Sequence, residues 1–226
     1  VKVQIYTMQT PSEAYAVAAL GADHIGVTPA DLGLPGEVDL KTARAICDAV
    51  RGAAVTVGLS VDDDLDRIAA MVRAVQPDVL HLCGEFGSVP PPAIRKLRTQ
   101  LPGIAIMQAI PVAGPEAVGY ALEYQNVADY LILDTKDASV TGIGASGATH
   151  DWSISRAIVE QTRVPVILAG GLAPDNVAEA IRVVQPWGVD SLTHTNVPLP
   201  GGGFLKDLER VRQFVEAARG AAVDGI

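Results

Sequence analysis

"VPVILAGGLAPDNVAEAIRVVQPWGVDSL" (164–192) contains a complete structural unit. A short run rich in Val and Ile stops at Gly170 and Gly171. A helical pattern follows, with Val177, Ala180, Ile181 and Val184 on one face. A brief turn then leads into a second apolar run from 188. Strand, helix and strand in that order demand parallel pairing, because the helix carries the chain back to the same end of the sheet.

The unit recurs. "GADHIGV" (21–27), "QPDVLHL" (76–82), "VADYLIL" (127–133) and "QPWGVDSL" (185–192) each place a turn and an Asp at a β-rich apolar run. Each follows an amphipathic helical segment, such as "DLDRIAAMVRAV" or "PEAVGYALEYQ". With "VKVQIY", "AAVTVGL", "GIAIMQAI" and "VPVILA", eight strand candidates begin near residues 1, 23, 53, 78, 103, 129, 164 and 188. Eight alternating units in 226 residues predict an α/β chain forming a single (β/α)8 TIM barrel domain over 1–226. A doubly wound open sheet fits less well, since no GxGxxG follows the first strand.

Composition narrows the partners. The net charge of −9, from 26 acidic and 17 basic residues, leaves no basic face for nucleic acid and no polybasic membrane anchor. No apolar run reaches membrane-spanning length. Cys47 and Cys83 match no zinc or redox spacing and suit a reducing, cytoplasmic compartment. No cofactor motif is present, and a homodimer is left open.

In such a barrel the C-terminal ends of the strands carry the chemistry. The residues that fall there include Gln4, Tyr6, His81, Cys83, Asp134, Lys136, Gly170, Gly171, Thr193 and His194. His24, at a strand start, falls on the opposite, structural face.

"LILDTK" (131–136), "GASGATHDW" (144–152), "ILAGGLAPDNVAEAIRVVQPWGVD" (167–190) and "KDLERVRQFVEAAR" (206–219) together resemble the phosphoribosylanthranilate isomerase family. The resemblance implies an Amadori rearrangement of an aminoaldose to an aminoketose on a phosphorylated sugar. It implies a general acid that opens the furanose, a general base for the C2′ proton, a phosphate grip and a clamp for the anthranilate carboxylate.

The resemblance places the acid at Asp134. The base position of the family, the cysteine of a "KICGIT"-like strand, falls on Gln4. A carboxamide cannot abstract a carbon-bound proton, so Cys83 and His81 on the fourth strand are the replacement candidates. Gly170 and Gly171 match the phosphate loop, with Pro174 expected in the first helical turn. The second phosphate loop, "SSGVE"-like in the family, reads "SLTHTN" here, leaving Thr193 and a protonated His194 as donors. Gln4, Tyr6, Lys136 and His150 complete the expected substrate-binding set. At the carboxylate clamp, Gly36 and Glu37 stand in place of a basic–aromatic pair.

The sequence therefore points first to a sugar-phosphate isomerase of this type, with an altered substrate kept open. A lyase, epimerase or decarboxylase on the same barrel is the alternative; its metal-assisted variant would draw on His81, Asp134, His150 and His194. No metal site is assigned. A non-catalytic binder of a phosphorylated metabolite is the third reading. The run "VPLPGGGF" (197–204) reads as a loop over the active face.

Overall fold

Residues 1–135 and 149–223 are described by the structure, a computed structural model. Eight strands close into a parallel barrel in sequence order. They are β1 (Lys2–Ile5), β2 (His24–Val27), β3 (Val55–Ser60) and β4 (Val79–Leu82). The second half contains β5 (Ala105–Pro111), β6 (Tyr130–Asp134), β7 (Val166–Leu168) and β8 (Gly188–Ser191). The expected strand starts lie within two residues of these.

Around the barrel lie α1 (Pro11–Ala19), α2 (Leu40–Val50), α3 (Leu65–Val75) and α4 (Pro91–Gln100). The circle is completed by α5 (Glu116–Tyr124), α6 (Trp152–Gln161), α7 (Val177–Val184) and α8 (Leu208–Val223). Each buries an apolar stripe against the outside of the strands; on α7 the stripe is Val177, Ala180, Ile181 and Val184. Asp64 and Asp151 cap α3 and α6, accepting backbone N–H groups of the first turn.

The repeated aspartates have a structural task. Asp23, just before β2, accepts the N–H of Val3 on β1 at 2.8 Å. Asp78, before β4, accepts that of Thr56 on β3 at 2.8 Å, and Asp129, before β6, that of Ile106 on β5 at 2.7 Å. Each carboxylate thus pins its own strand to the preceding one at the N-terminal end of the barrel. Asp190 breaks the series: it is the third residue of β8 and faces the barrel interior rather than its lower rim.

Val57, Met107, Ile132 and Ile167, none more than 1% exposed, fill the centre of the barrel. Tyr6, just past β1, joins them. A Cβ at Gly26 would come 2.3 Å from its ring, so the glycine on β2 makes room for this tyrosine. The segment expected as a loop over the active face forms a hairpin. β9 (Asn196–Pro198) pairs antiparallel with β10 (Phe204–Lys206), and only residues between them turn.

Candidate active site

Asp134 ends β6, and Gly170 and Gly171 follow β7, so adjacent strand ends bring them together. The approach is close. A Cβ on Gly170 would lie 3.2 Å from Asp134 Oδ1 and 2.6 Å from Thr135 Oγ1, and Gly170 has φ +82°. Only glycine combines that backbone with that neighbour. Among the described residues, the N–H groups of Gly170 and Gly171 have no acceptor. They are open to an anion.

One cavity at the C-terminal face is lined by Asp134, Gly170, Gly171, Asp190, Thr193 and His194. Thr193 and His194 lie on a 3-10 turn, Thr193–Thr195, directly after β8. Asn176 sits behind the glycines. Its Oδ1 accepts the Ala173 N–H at 2.8 Å, while its amide donates to the Gly171 carbonyl at 3.0 Å. Pro174 lies in this turn; α7 begins three residues later, at Val177, than the expected Pro174-led helix start.

The two carboxyl groups have unusual acidities. Burial pushes Asp134 up to about 7, partly offset by the Thr135 N–H it accepts at 2.7 Å. Burial, and after it the neighbouring Asp134, push Asp190 up to about 8. The Gln4 amide, donating to Asp190 Oδ1 at 3.1 Å, works in the opposite direction. Near neutral pH such a pair shares one proton, and of its two singly protonated forms the one with Asp134 protonated and Asp190 ionised sets an acid and a base in one cavity.

The remaining expected residues occupy distinct places. Gln4 is 2% exposed and lies inside the barrel between Asp190 and His24, away from that cavity. The Tyr6 hydroxyl meets His81 Nδ1 at 3.0 Å, and neither residue lines the cavity. Burial lowers His81 to about 3, which keeps the ring neutral, and its Nε2 has no partner. Cys83 is buried at the top of the same interior column. His150 stands behind Thr135: Nδ1 is 3.3 Å from Thr135 Oγ1 and Nε2 is 2.7 Å from Ser155 Oγ. Both ring nitrogens are thereby engaged by protein groups, and burial lowers the ring to about 4. Lys136 lies outside the described residues.

Glu37 does not face the site. Its carboxylate accepts the N–H groups of Leu32, Gly33 and Leu34 at 2.8–2.9 Å, closing its own loop. That loop packs against the hairpin: a Cβ on Gly36 would lie 2.4 Å from Thr7 and 2.5 Å from Phe204. Beneath it Lys206, 6% exposed, donates to the Tyr6 carbonyl and to Asn196 Oδ1. No group of three or more His, Cys, Asp or Glu side chains is placed to hold a metal ion among the described residues.

Comparison with known proteins decides the family. The family model described as N-(5'-phosphoribosyl)anthranilate (PRA) isomerase matches residues 3–217. The chain belongs to the phosphoribosylanthranilate isomerase family. The relative of that name from Methanocella arvoryzae is 35% identical over 96% of this chain and 98% of its own. The one from Haloferax volcanii is 35% identical over 99% and 96%. Among solved structures, the phosphoribosylanthranilate isomerase of Thermus thermophilus superposes with a TM-score of 0.80 at 26% identity, covering 99% and 100% of the two chains. A structure of the family with reduced 1-(o-carboxyphenylamino)-1-deoxyribulose 5-phosphate bound has a TM-score of 0.78 at 26% identity, covering 97% and 99%. Among the described residues no helix is long and apolar enough to cross a membrane.

Asp190 is the residue that sequence reading passed over. It reads as one of the turn aspartates, although a strand from 188, as expected and as observed, already contains it. Alternation from Gly188 turns Asp190 inward, and that parity was the available signal.

Proposed function

We infer that the protein is an aldose–ketose isomerase of the phosphoribosylanthranilate isomerase type, acting on a phosphorylated aminoaldose. The carrying observation is that two carboxyl groups of raised pKa share one cavity with two unpartnered glycine N–H groups. The glycine N–H groups and the Thr193–His194 turn take the phosphate. Protonated Asp134 gives its proton to the ring oxygen as the C1–O bond breaks, leaving a C1=N iminium. Ionised Asp190 takes the C2 proton, and the electron pair moves to give an enolamine. That species becomes the ketone at C2 when Asp190 returns its proton to C1 and the C2 hydroxyl proton passes to Asp134, which restores both carboxyl groups. Asp190 fits the base role better than His81 or Cys83, because it borders the cavity and they do not.

The test is turnover of phosphoribosylanthranilate by the intact protein and by Asp134→Asn. The variant should lose about 10²- to 10⁴-fold in kcat/KM, the usual contribution of a general acid. Its affinity for inorganic phosphate should stay within about threefold, since the anion contacts are backbone groups. No turnover by the intact protein overturns the substrate; full turnover by the variant overturns the acid. A homodimer rests on the relative from Thermotoga maritima described as dimeric. A cytoplasmic location rests on the family's place in tryptophan biosynthesis.

A further inference from the structure

Three polar side chains stand side by side on three neighbouring strands. β1 pairs with β2 so that Gln4 is opposite His24, and with β8 so that Gln4 is opposite Asp190. All three point into the barrel, and all three are under 8% exposed. Strands in such a barrel are tilted, so a row of paired residues climbs along the axis. The row runs from His24 at the start of β2 to Asp190 near the end of β8. Its links are His24 Nδ1 to Gln4 Oε1 at 3.2 Å and Gln4 Nε2 to Asp190 Oδ1 at 3.1 Å.

An amide has a donor end and an acceptor end, and this one has a titratable group at each. With Asp190 ionised, the Gln4 NH₂ must face it, and Gln4 Oε1 then needs the proton on His24 Nδ1. With Asp190 protonated, its O–H is served by Gln4 Oε1. The amide then turns over, its NH₂ faces His24 Nδ1, and the imidazole proton belongs on Nε2. The His24 ring is held by Tyr130 and Trp187, with centroids at 6.0 and 5.6 Å, so a tautomer change answers the amide more easily than a ring rotation. His24 also borders an open hollow at the N-terminal end of the barrel, where water can exchange protons with the ring. A thiol at position 4 would offer a single weak donor–acceptor atom in place of an amide's two separate ends.

We propose that Gln4 and His24 are positioning residues for Asp190, and that the Gln4 amide orientation and the His24 tautomer change together with the protonation of Asp190. The relay deepens the reading of Asp190 as the base and rests on it for its catalytic meaning. Burial lowers His24 to about 4, so from pH 6 to 9.5 the ring has one proton and only its position can change. The groups facing His24 are Asp23, Lys2 and Asp78; those facing Asp190 are Asp134, Lys206 and Tyr6. Lys206 and Asp134 both titrate near 7, so Lys206→Met and Asp134→Asn are the controls.

The experiment is ¹⁵N NMR of the histidine side chains of the whole protein between pH 6 and 9.5. Wild type should show the His24 proton moving from Nε2 to Nδ1 as pH rises, with one midpoint that persists in the Lys206 and Asp134 controls. Asp190→Asn and Gln4→Met should each abolish the movement. Gln4→Met should also lower kcat at least tenfold with KM changed less than threefold. Gln4→Glu, which keeps a hydrogen-bonding acceptor beside His24, should hold the ring as the Nδ1–H tautomer. A single unchanging His24 tautomer in wild type, or movement that survives Asp190→Asn, overturns the relay. Full turnover by Asp190→Asn with the wild-type movement intact would leave the relay standing and remove Asp190 as the base.

Discussion

Asp190→Asn should make the protein inactive and, above neutral pH, more stable. Burial raises Asp190 from 3.8 to about 8, so within that window the folded protein keeps a proton that the unfolded chain has lost. Stability from this group is fully present below 3.8, falls by about 1.4 kcal/mol per pH unit as pH rises, and levels off above about 8. Water entering the cavity relieves much of that cost, leaving on the order of 2–3 kcal/mol. Asparagine does not titrate, and its Oδ1 still accepts from Gln4 Nε2 at the position Asp190 Oδ1 holds. The variant should therefore lie closer to wild type at pH 5 than at any higher pH. At pH 9 it should melt about 5–10 °C higher, at the usual conversion for a chain of this length. Asp134 contributes a slope of the same sign to both proteins, so it largely cancels in the comparison. Scanning calorimetry at pH 5, 7 and 9, with turnover measured beside it, is the assay. A stability difference that is constant with pH, or that grows against the variant as pH rises, refutes a buried raised carboxyl at this position.

Gly170→Ala meets both a φ of +82° and a contact 2.6 Å from Thr135 Oγ1. It should cost about 1–3 kcal/mol in urea unfolding and weaken inorganic phosphate binding at least tenfold by titration calorimetry. Asp129→Ala removes the acceptor of the Ile106 N–H and the partner of Arg98 at 2.6 Å, on the face away from the site. It should lower stability by about 1–3 kcal/mol with kcat/KM unchanged at 25 °C.

The barrel could be read from the sequence because strand-to-helix alternation is a local signal repeated eight times, and each repetition supports the others. Asp134 and Gly170 were legible for a similar reason: they end strands whose apolar runs are unmistakable. Asp190 was not, because it reads as one of the turn aspartates with Asp23, Asp78 and Asp129, although the strand start expected near 188 already set its side chain inward. Glu37 shows a different limit. Its charge suggested repulsion of a carboxylate, yet three local N–H groups claim it, and such loop closure follows from backbone geometry that composition does not report. The hairpin after β8 was hidden by its glycines, which turn the chain rather than dissolve it; Gly201, Gly202 and Gly203 all have positive φ.

Several departures from the family pattern are neighbours in space. Three of them, Gln4 on β1, Gly36 and Glu37 after β2, and the Thr193–Asn196 segment after β8, fall on one contiguous third of the barrel. They also touch. Gly36 packs against Thr7 and Phe204, and Lys206 of the hairpin ties Asn196 to the Tyr6 carbonyl. The other side, with Asp134 on β6 and the glycines after β7, keeps the family's acid and anion cradle. On the proposed reading, the changed segments leave Asp134 and the two glycines in place, and proton abstraction passes from position 4 to Asp190, the side chain that the Gln4 amide holds at 3.1 Å.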